Sequence, residues 1–528
     1  MRRWHALLDI ITFPLKILFF ASILMGFGGL VLNPNINNII QIESQLIITL
    51  AELFRYFGSL IIFNFPFFIL IKALSKRFSD SIPVFIGVIG YFVFNITTML
   101  FSVRNLPSSA FTPLLGIYLD LSQLSLEGSG LIFPIHTGII GAIITIIVTR
   151  FSYNTSRKAS GYGVLSFVDK DVWALFYTIA LSFIFGIVVV YVWPSFISMW
   201  QFIFNFIASD ITNPMNLFVY GISDRLLAGL SISQLIRTPF WFGTLGGSWI
   251  GPSGTNFVGD VTIWTQQLSA GMTPIGFGRL ITPYYIMNIF AIPAFIAGIF
   301  QTFTDKIERQ KFRGFFAVAI LISIIIGMIF PFEMFLLFFT PLIYFVHIFI
   351  SGVMFAVLQA LNATIGYTFS GLDLVATPAS VVDLLVLVRN PSMQSTIVTL
   401  ISVGVVTAIV YFALARVYFN YLAYDAMNTG KTEETVQELF TVFGGIDNIR
   451  MVHSSLYRIT VLPIKKNKVD FGLAPLDEVT KIVESRAGYS LTYGAGSYII
   501  RTKMIKLIKD HQKELLQAKQ SKSKVENV

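Results

Sequence analysis

The sequence contains no cysteine, which excludes disulfides, thiolate metal sites and any cysteine-based chemistry. It is also poor in charge. Asp, Glu, Lys and Arg make up 12% of its 528 residues, about half the roughly 25% of a soluble domain. The five histidines, His5, His136, His347, His453 and His511, stand too far apart for a spaced metal-ligand pair, and neither a metal nor a cofactor is expected. What abounds is apolar: 55% of the residues are hydrophobic, 52 of them phenylalanine, and the mean hydropathy is +0.74. Most of such a chain cannot dissolve in water. The net charge of +9 would suggest a nucleic-acid partner if it were spread over a soluble domain. Here Lys and Arg gather at the ends of apolar runs and in the C-terminal tail, the pattern of a membrane protein with a basic cytoplasmic side.

A helix needs about 20 apolar residues to cross the hydrocarbon core. Runs of that kind, bounded by charge or turn residues, lie at 9–32, 58–74, 82–102, 130–149, 171–194, 285–302, 313–330, 333–358 and 395–420. The first follows Met1-Arg2-Arg3 without a small-residue cleavage site, so it reads as a retained span with a cytoplasmic N-terminus. Lys76-Arg77, Arg150 to Lys158 and Lys306 to Arg313 then all fall inside. Nine spans would leave the Lys-rich tail outside, so a further crossing is expected within 359–394, giving about ten and a cytoplasmic C-terminus. The fold class is an α-helical polytopic membrane protein with a small C-terminal α/β domain.

The stretch from Pro194 to Tyr284 differs in kind, being rich in Gly, Pro, Ser, Thr and aromatics. It has two readings: a substrate cavity built on broken helices and re-entrant backbone, or an extracellular loop lying on the membrane. After Phe419 the composition changes. The expected organisation is a membrane domain at 1–420, a polar linker at 421–434, an α/β domain at 435–510 with turns at Gly444-Gly445 and Gly494-Ala495-Gly496, and a charged helix or frayed tail at 511–528. No internal repeat survives inspection.

Three stretches, in order, resemble one family. The first runs from Tyr220-Gly-Ile-Ser-Asp-Arg-Leu-Leu227 through Thr238-Pro-Phe-Trp-Phe242 to Leu245-Gly-Gly-Ser-Trp249. The second runs from Gly327-Met-Ile-Phe-Pro-Phe-Glu333 through Thr340-Pro-Leu-Ile-Tyr344 to His347, and the third from Phe443-Gly-Gly-Ile-Asp-Asn-Ile449 to Tyr457-Arg-Ile-Thr-Val461. They are similar to the glucose/maltose branch of the sugar phosphotransferase system, in which a membrane permease, enzyme IIC, is fused to a cytoplasmic phosphocarrier domain, enzyme IIB. The resemblance implies a homodimer in a bacterial plasma membrane, a IIA partner component, a sugar substrate, and a cavity made by segments 220–290 and 327–373 that opens alternately to either side.

The departures from the pattern empty that site of ionic chemistry. The resemblance places a phosphorylated cysteine where this chain has Ser455. A serine hydroxyl ionises far above neutral pH and is a poor acceptor and donor without an adjacent base. His453 stands two residues away, on the same face if the segment is a strand. The first glutamate of the family signature, a sugar-hydroxyl acceptor, is replaced by Phe330, whereas Glu333 keeps the second. Ser233 and Gln234 stand for a histidine pair, Thr244 for a glutamate and Tyr284 for a lysine. Together with Arg237 and Arg279 these are the candidate substrate-binding residues. The implied activity is transfer of a phosphoryl group from phosphocysteine to sugar, and the missing Cys and Glu argue that this half is gone. The two functional readings are a sugar permease without phosphoryl transfer and a non-enzymatic sugar sensor, receptor or partner subunit on the same fold.

Each of these residues also has a structural reading. Glu333 could cap a helix after Pro331; Arg225, Arg237 and Arg279 could pair with Asp224, Asp260 or Glu333. Trp241 and Trp249 could stack on a sugar or anchor a span at the interface. His347 is expected to be a hydrogen-bonded core histidine.

Overall fold

The computed structural model describes the chain except residues 1, 34–35, 37–40, 79–80, 103–105, 114–118, 121–130, 159–168, 275, 303–305, 368–378, 420–430, 455–457, 477–478, 480, 486–487, 494–496 and 526–528. Its described residues are mostly helical. Two compact units emerge, one of residues 10–296 and 315–411, the other of 1–9, 297–314 and 412–528.

The helical part begins with α1 (Arg2–Val31), α2 (Gln45–Phe63), α3 (Phe65–Arg77), α4 (Ile82–Phe101), α5 (Gly138–Ser156) and α6 (Lys170–Ser209). It continues through α7 (Pro214–Gly229), the single turn α8 (Gln234–Arg237), α9 (Asp260–Ser269), α10 (Thr282–Gln301), α11 (Lys306–Leu321), α12 (Phe330–Phe339), α13 (Pro341–Ala360), α14 (Val381–Val388) and α15 (Gln394–Val417). Eight of the helices, α1, α2, α4, α5, α6, α10, α13 and α15, are long and apolar enough to cross a bilayer, and segments Arg313–Ile326 and Phe330–Phe339 are shorter apolar helices. The outward faces are apolar as well. Leu46, Leu50, Leu53, Phe57 and Leu60 on α2, and Phe202 and Phe206 on α6, are exposed to the surroundings, which suits lipid and not water.

Proline and asparagine set many of the helix starts. Pro66, Pro83, Pro214, Pro283, Pro331 and Pro341 stand in the first turns of α3, α4, α7, α10, α12 and α13, where the missing N–H costs nothing. Asn213 adds a cap on α7 by accepting from the Met215 N–H at 2.8 Å.

These starts correct several expected spans. The run expected at 333–358 is two helices, because Pro341 cannot continue α12 and forces Thr340 out of the helical region, at φ −140°. The run expected at 58–74 is likewise split at Asn64. The crossing helix is α2, which begins at Gln45 and carries Glu52 and Arg55 inside it, and those charges hid it from a search for uncharged runs. The span expected at 130–149 starts at Gly138, after an irregular approach containing Pro134 and His136. The run at 313–330 ends as helix at Ile326, in a π turn (Ile322–Ile326) closed by Gly327 in the left-handed region. Pro194 errs the other way. It lies inside α6, which runs on to Ser209. At about 1.5 Å per residue, its 40 residues make a rod of roughly 60 Å, about twice the hydrocarbon thickness.

Within 359–394 the described residues hold the end of α13, the eight-residue α14, the three-residue 3-10 turn Pro391–Met393 and the start of α15. The extra crossing expected within 359–394 includes 368–378, which lie outside the described residues, and the described residues of that stretch before Pro391 hold no helix long enough to cross.

The C-terminal region folds around a four-stranded antiparallel sheet in the order β5-β6-β8-β7, made of Ile449–Ser454, Arg458–Pro463, Tyr489–Thr492 and Lys481–Glu484 respectively. Two two-stranded pairs, β1/β2 (Leu119–Asp120, Leu131–Ile132) and β3/β4 (Ser248–Ile250, Asn256–Val258), precede it in the chain. Alternation on β6 turns Ile459 and Val461 inward. There they meet Leu439 from α16 (Lys431–Val442), Phe443 just after it, and Met504 from α17 (Ser497–Val525). The tail expected from 511 is therefore the second half of a helix that starts at Ser497, where its first half packs on the sheet. The polar linker lies mostly outside the described residues, as do the Gly494-Ala495-Gly496 turn and Ser455 itself.

Candidate functional site

The first unit carries a buried charged cluster. Its centre is Arg225, on α7, with a side chain wholly removed from solvent. The Arg225 guanidinium donates to Glu333 at the start of α12, and to Asp224, whose Oδ2 lies 3.1 Å from Nε. It also donates to the Tyr284 hydroxyl at 2.8 Å, and Tyr284 in turn donates to Asp224. A second guanidinium, Arg237 of α8, reaches the other side of Asp224 with Nε 2.7 Å from Oδ1. Two guanidiniums thus face two carboxylates, and the cluster is balanced in formal charge. Balance is what permits it, because an unpaired ion in so dry a place costs several kcal/mol.

A second layer holds the first. His347 on α13 lies between Glu333 Oε1, 3.2 Å from Nε2, and the Tyr411 hydroxyl, 2.6 Å from Nδ1. The Tyr344 hydroxyl donates to the Arg225 main-chain carbonyl at 2.6 Å. Aromatic faces close the remaining sides: Arg225 lies over the Tyr284 ring at 4.8 Å and Arg237 over Trp241 at 5.3 Å. The Trp241 indole N–H donates to the Tyr220 hydroxyl at 2.8 Å. Trp241 belongs to a π turn, Thr238–Phe242, that widens the backbone beside the cluster.

Of the candidates read from the sequence, the fold gathers Arg237, Tyr284 and Glu333 into this cluster. Glu333 is an ion-pair partner of Arg225, its carboxylate bound by side chains and not by the backbone donors a helix-capping role would use. Ser233 and Gln234 are buried at the start of α8, on the turn that carries Arg237. Phe330 is buried and meets Phe65 edge-on at 5.9 Å.

Two candidates lie elsewhere. Thr244 is exposed on a 3-10 turn. Arg279 donates to the Ile211 carbonyl at 3.0 Å and lies 3.9 Å from Asp260. The pairings of Arg225 with Asp224 and Glu333, of Arg237 with Asp224, and of Arg279 with Asp260 are among those the structural reading of these residues offers. Trp249 stacks on Phe257 across the hairpin β3/β4, with ring centroids 6.0 Å apart.

Tyr344 and Tyr411 escaped the sequence reading. A signal was present: Tyr344, His347 and Ser351 recur at helical spacing in an otherwise apolar run, and all three are buried. Among the described residues no group of three or more His, Asp or Glu side chains is placed to hold a metal.

No family model matches the chain. Among solved structures the chain is similar to the transporter ChbC, the IIC component from the N,N'-diacetylchitobiose-specific phosphotransferase system, at 13% identity and a TM-score of 0.32. That match covers 82% of this chain and 96% of the transporter.

Proposed function

We propose that this protein is a membrane sugar permease of the phosphotransferase type, a IIC-like domain joined to a IIB-like domain, in which phosphoryl transfer is lost. The observation that carries the reading is the Arg225 cluster. It draws the 220–242 and 330–347 segments, the two stretches that resemble the family's substrate segments, onto one buried set of carboxylates, guanidiniums and aromatic rings. Such a set suits a carbohydrate, whose hydroxyls pair with charged acceptors and donors and whose ring faces pack on Trp and Tyr. On this reading the homodimer, the IIA partner, the bacterial plasma membrane and the cytoplasmic termini follow from the resemblance.

The loss of phosphoryl transfer follows from chemistry. A chain without cysteine cannot form a phosphothiol, and a phosphoserine ester at Ser455 would be a far poorer donor. Phe330 would leave a sugar hydroxyl without its acceptor, at a cost of roughly 1–3 kcal/mol. Two defects in series need two repairs.

The test is reconstitution in proteoliposomes with the general phosphotransferase proteins, labelled phosphoenolpyruvate, and labelled glucose or maltose. Sugar entry or binding with no label on the chain is expected. Sugar phosphate from the wild type would refute the loss of transfer, its appearance in Ser455→Cys alone would refute the second defect, and its appearance only in Ser455→Cys with Phe330→Glu would support both. Binding without entry would favour the sensor reading.

A further inference from the structure

Among the described residues four carboxylates are buried: Asp224, Asp260, Glu333 and Asp383. Three have cationic partners, Asp224 and Glu333 in the cluster around Arg225 and Asp260 at 3.9 Å from Arg279. Asp383 has none among the described residues; its neighbours are neutral donors. A buried carboxylate without a counter-charge in a membrane domain calls for an explanation.

Asp383 lies in the first turn of α14, in a reciprocal cap with Ser380. Its Oδ2 accepts from the Ala379 N–H at 3.3 Å, and from the Ser380 N–H and hydroxyl at 3.2 Å each. Asn33 is a further neutral neighbour. Asp383 Oδ1 receives no hydrogen bond among the described residues.

Asn288 meets the same short segment. It is fully buried in the π turn Met287–Ala291 of α10, and its Nδ2 donates to the Ala379 carbonyl at 3.2 Å. That bond fixes the amide, because a flipped side chain would set oxygen against oxygen. Asn288 Oδ1 also receives no hydrogen bond among the described residues. Around the pair the backbone is irregular on three sides. Ala379 has φ +97°, Asn288 sits in one π turn, and Ser323, in the π turn after α11, donates to the Asn288 carbonyl at 2.7 Å.

We propose that Asp383 Oδ1 and Asn288 Oδ1 are two ligands of a buried sodium site. Both side-chain oxygens accept hydrogen bonds and cannot donate them; a water could donate to both but would leave the lone carboxylate charge uncompensated, so a cation or a proton is what answers both the geometry and the charge. The charge selects the valence: one carboxylate among neutral groups is cancelled by a monovalent ion, whereas a divalent ion would leave a net positive charge in a dry interior. Carboxylate and amide oxygens are hard donors and suit a hard alkali cation. The proposal does not rest on the sugar reading.

The test uses the full chain purified in detergent, with thermal unfolding followed as NaCl replaces choline chloride at constant ionic strength, and then as KCl does. Because a ligand that binds only the folded state raises its stability, a saturable rise of several degrees with sodium is expected. That response is lost in Asp383→Asn and weakened in Asn288→Ala, and labelled sodium is retained by the wild type but not by Asp383→Asn. Equal midpoints in sodium and choline would overturn the site. Equal responses to sodium and potassium would overturn the assignment to sodium. Stabilisation by acid with no cation preference would also overturn it, showing a protonated carboxyl that donates to Asn288. If either variant fails to fold, the comparison of sodium with choline on the wild type still decides.

Discussion

Replacing Arg225 with methionine removes one of two positive charges from a buried set with two negative ones. Three contacts go with it: those to Glu333 and to Asp224, and the 2.8 Å donation to Tyr284. Asp224 keeps Arg237, and Glu333 keeps only His347. Removing one partner of a buried ion pair costs about 3–5 kcal/mol, because the other charge stays behind unpaired. Glu333→Gln leaves the opposite excess, one uncompensated positive charge. The double variant restores neutrality, with one carboxylate against one guanidinium. It is therefore expected to be more stable than Arg225→Met alone by about 1–3 kcal/mol, the range of coupling energies for groups in one network. The assay is denaturant unfolding in mixed micelles, read by tryptophan fluorescence and far-ultraviolet circular dichroism. The double midpoint should fall between those of Arg225→Met and the wild type. If Glu333→Gln instead lowers the stability of Arg225→Met as much as it lowers that of the wild type, within about 0.5 kcal/mol, charge balance is not what holds the cluster.

Two further outcomes are expected. Gly246→Ala should destabilise the chain by about 1–3 kcal/mol or prevent folding, since a β-carbon there would come within 1.8 Å of the Phe240 carbonyl oxygen and 2.6 Å of the Asp260 nitrogen; wild-type thermal stability in this variant would refute the packing of the Leu245-Gly-Gly motif. A cysteine placed at Ser521, unique in a chain that has no other, should stay unlabelled by an impermeant thiol reagent in intact cells and react after permeabilisation; labelling of intact cells would place the C-terminus outside.

Chemistry that acts along the chain was legible in the sequence. The sheet of the C-terminal region is written in the alternation at Ile459 and Val461, and the crossings α1, α4, α10 and α15 start and end within a few residues of their apolar runs. The first errors came where a rule has two outcomes. Pro194 passes through α6, whereas Pro341 starts a new helix, and no local feature separates them. Proline at membrane depth is tolerated within a helix where the surroundings re-satisfy the backbone, and the carbonyl that Pro194 frees is that of Val190, four residues back. The start of α2 is hidden for a different reason. Glu52 and Arg55 lie inside a helix that remains apolar overall, and a search that stops at charges ends there.

The candidate site was legible in its parts and not in its assembly. Arg225, Arg237, Asp224 and Glu333 draw notice in the sequence as charges among apolar residues, which a membrane domain must pair. Which pairs form was open.

By itself the sequence determined the solvent of this protein, because a chain with so many apolar runs has no other way to hide its backbone than helices in lipid. It also determined that no thiol chemistry is possible, since the residue is absent. Tertiary structure alone decided that Arg225 meets Glu333 across 108 residues of chain, that the Tyr284 hydroxyl joins the same cluster, and that Asp383 has no counter-charge among the described residues. Contacts of that range depend on how helices pack. Packing is the sum of many weak contacts between side chains, and no one of them is visible in the order of residues.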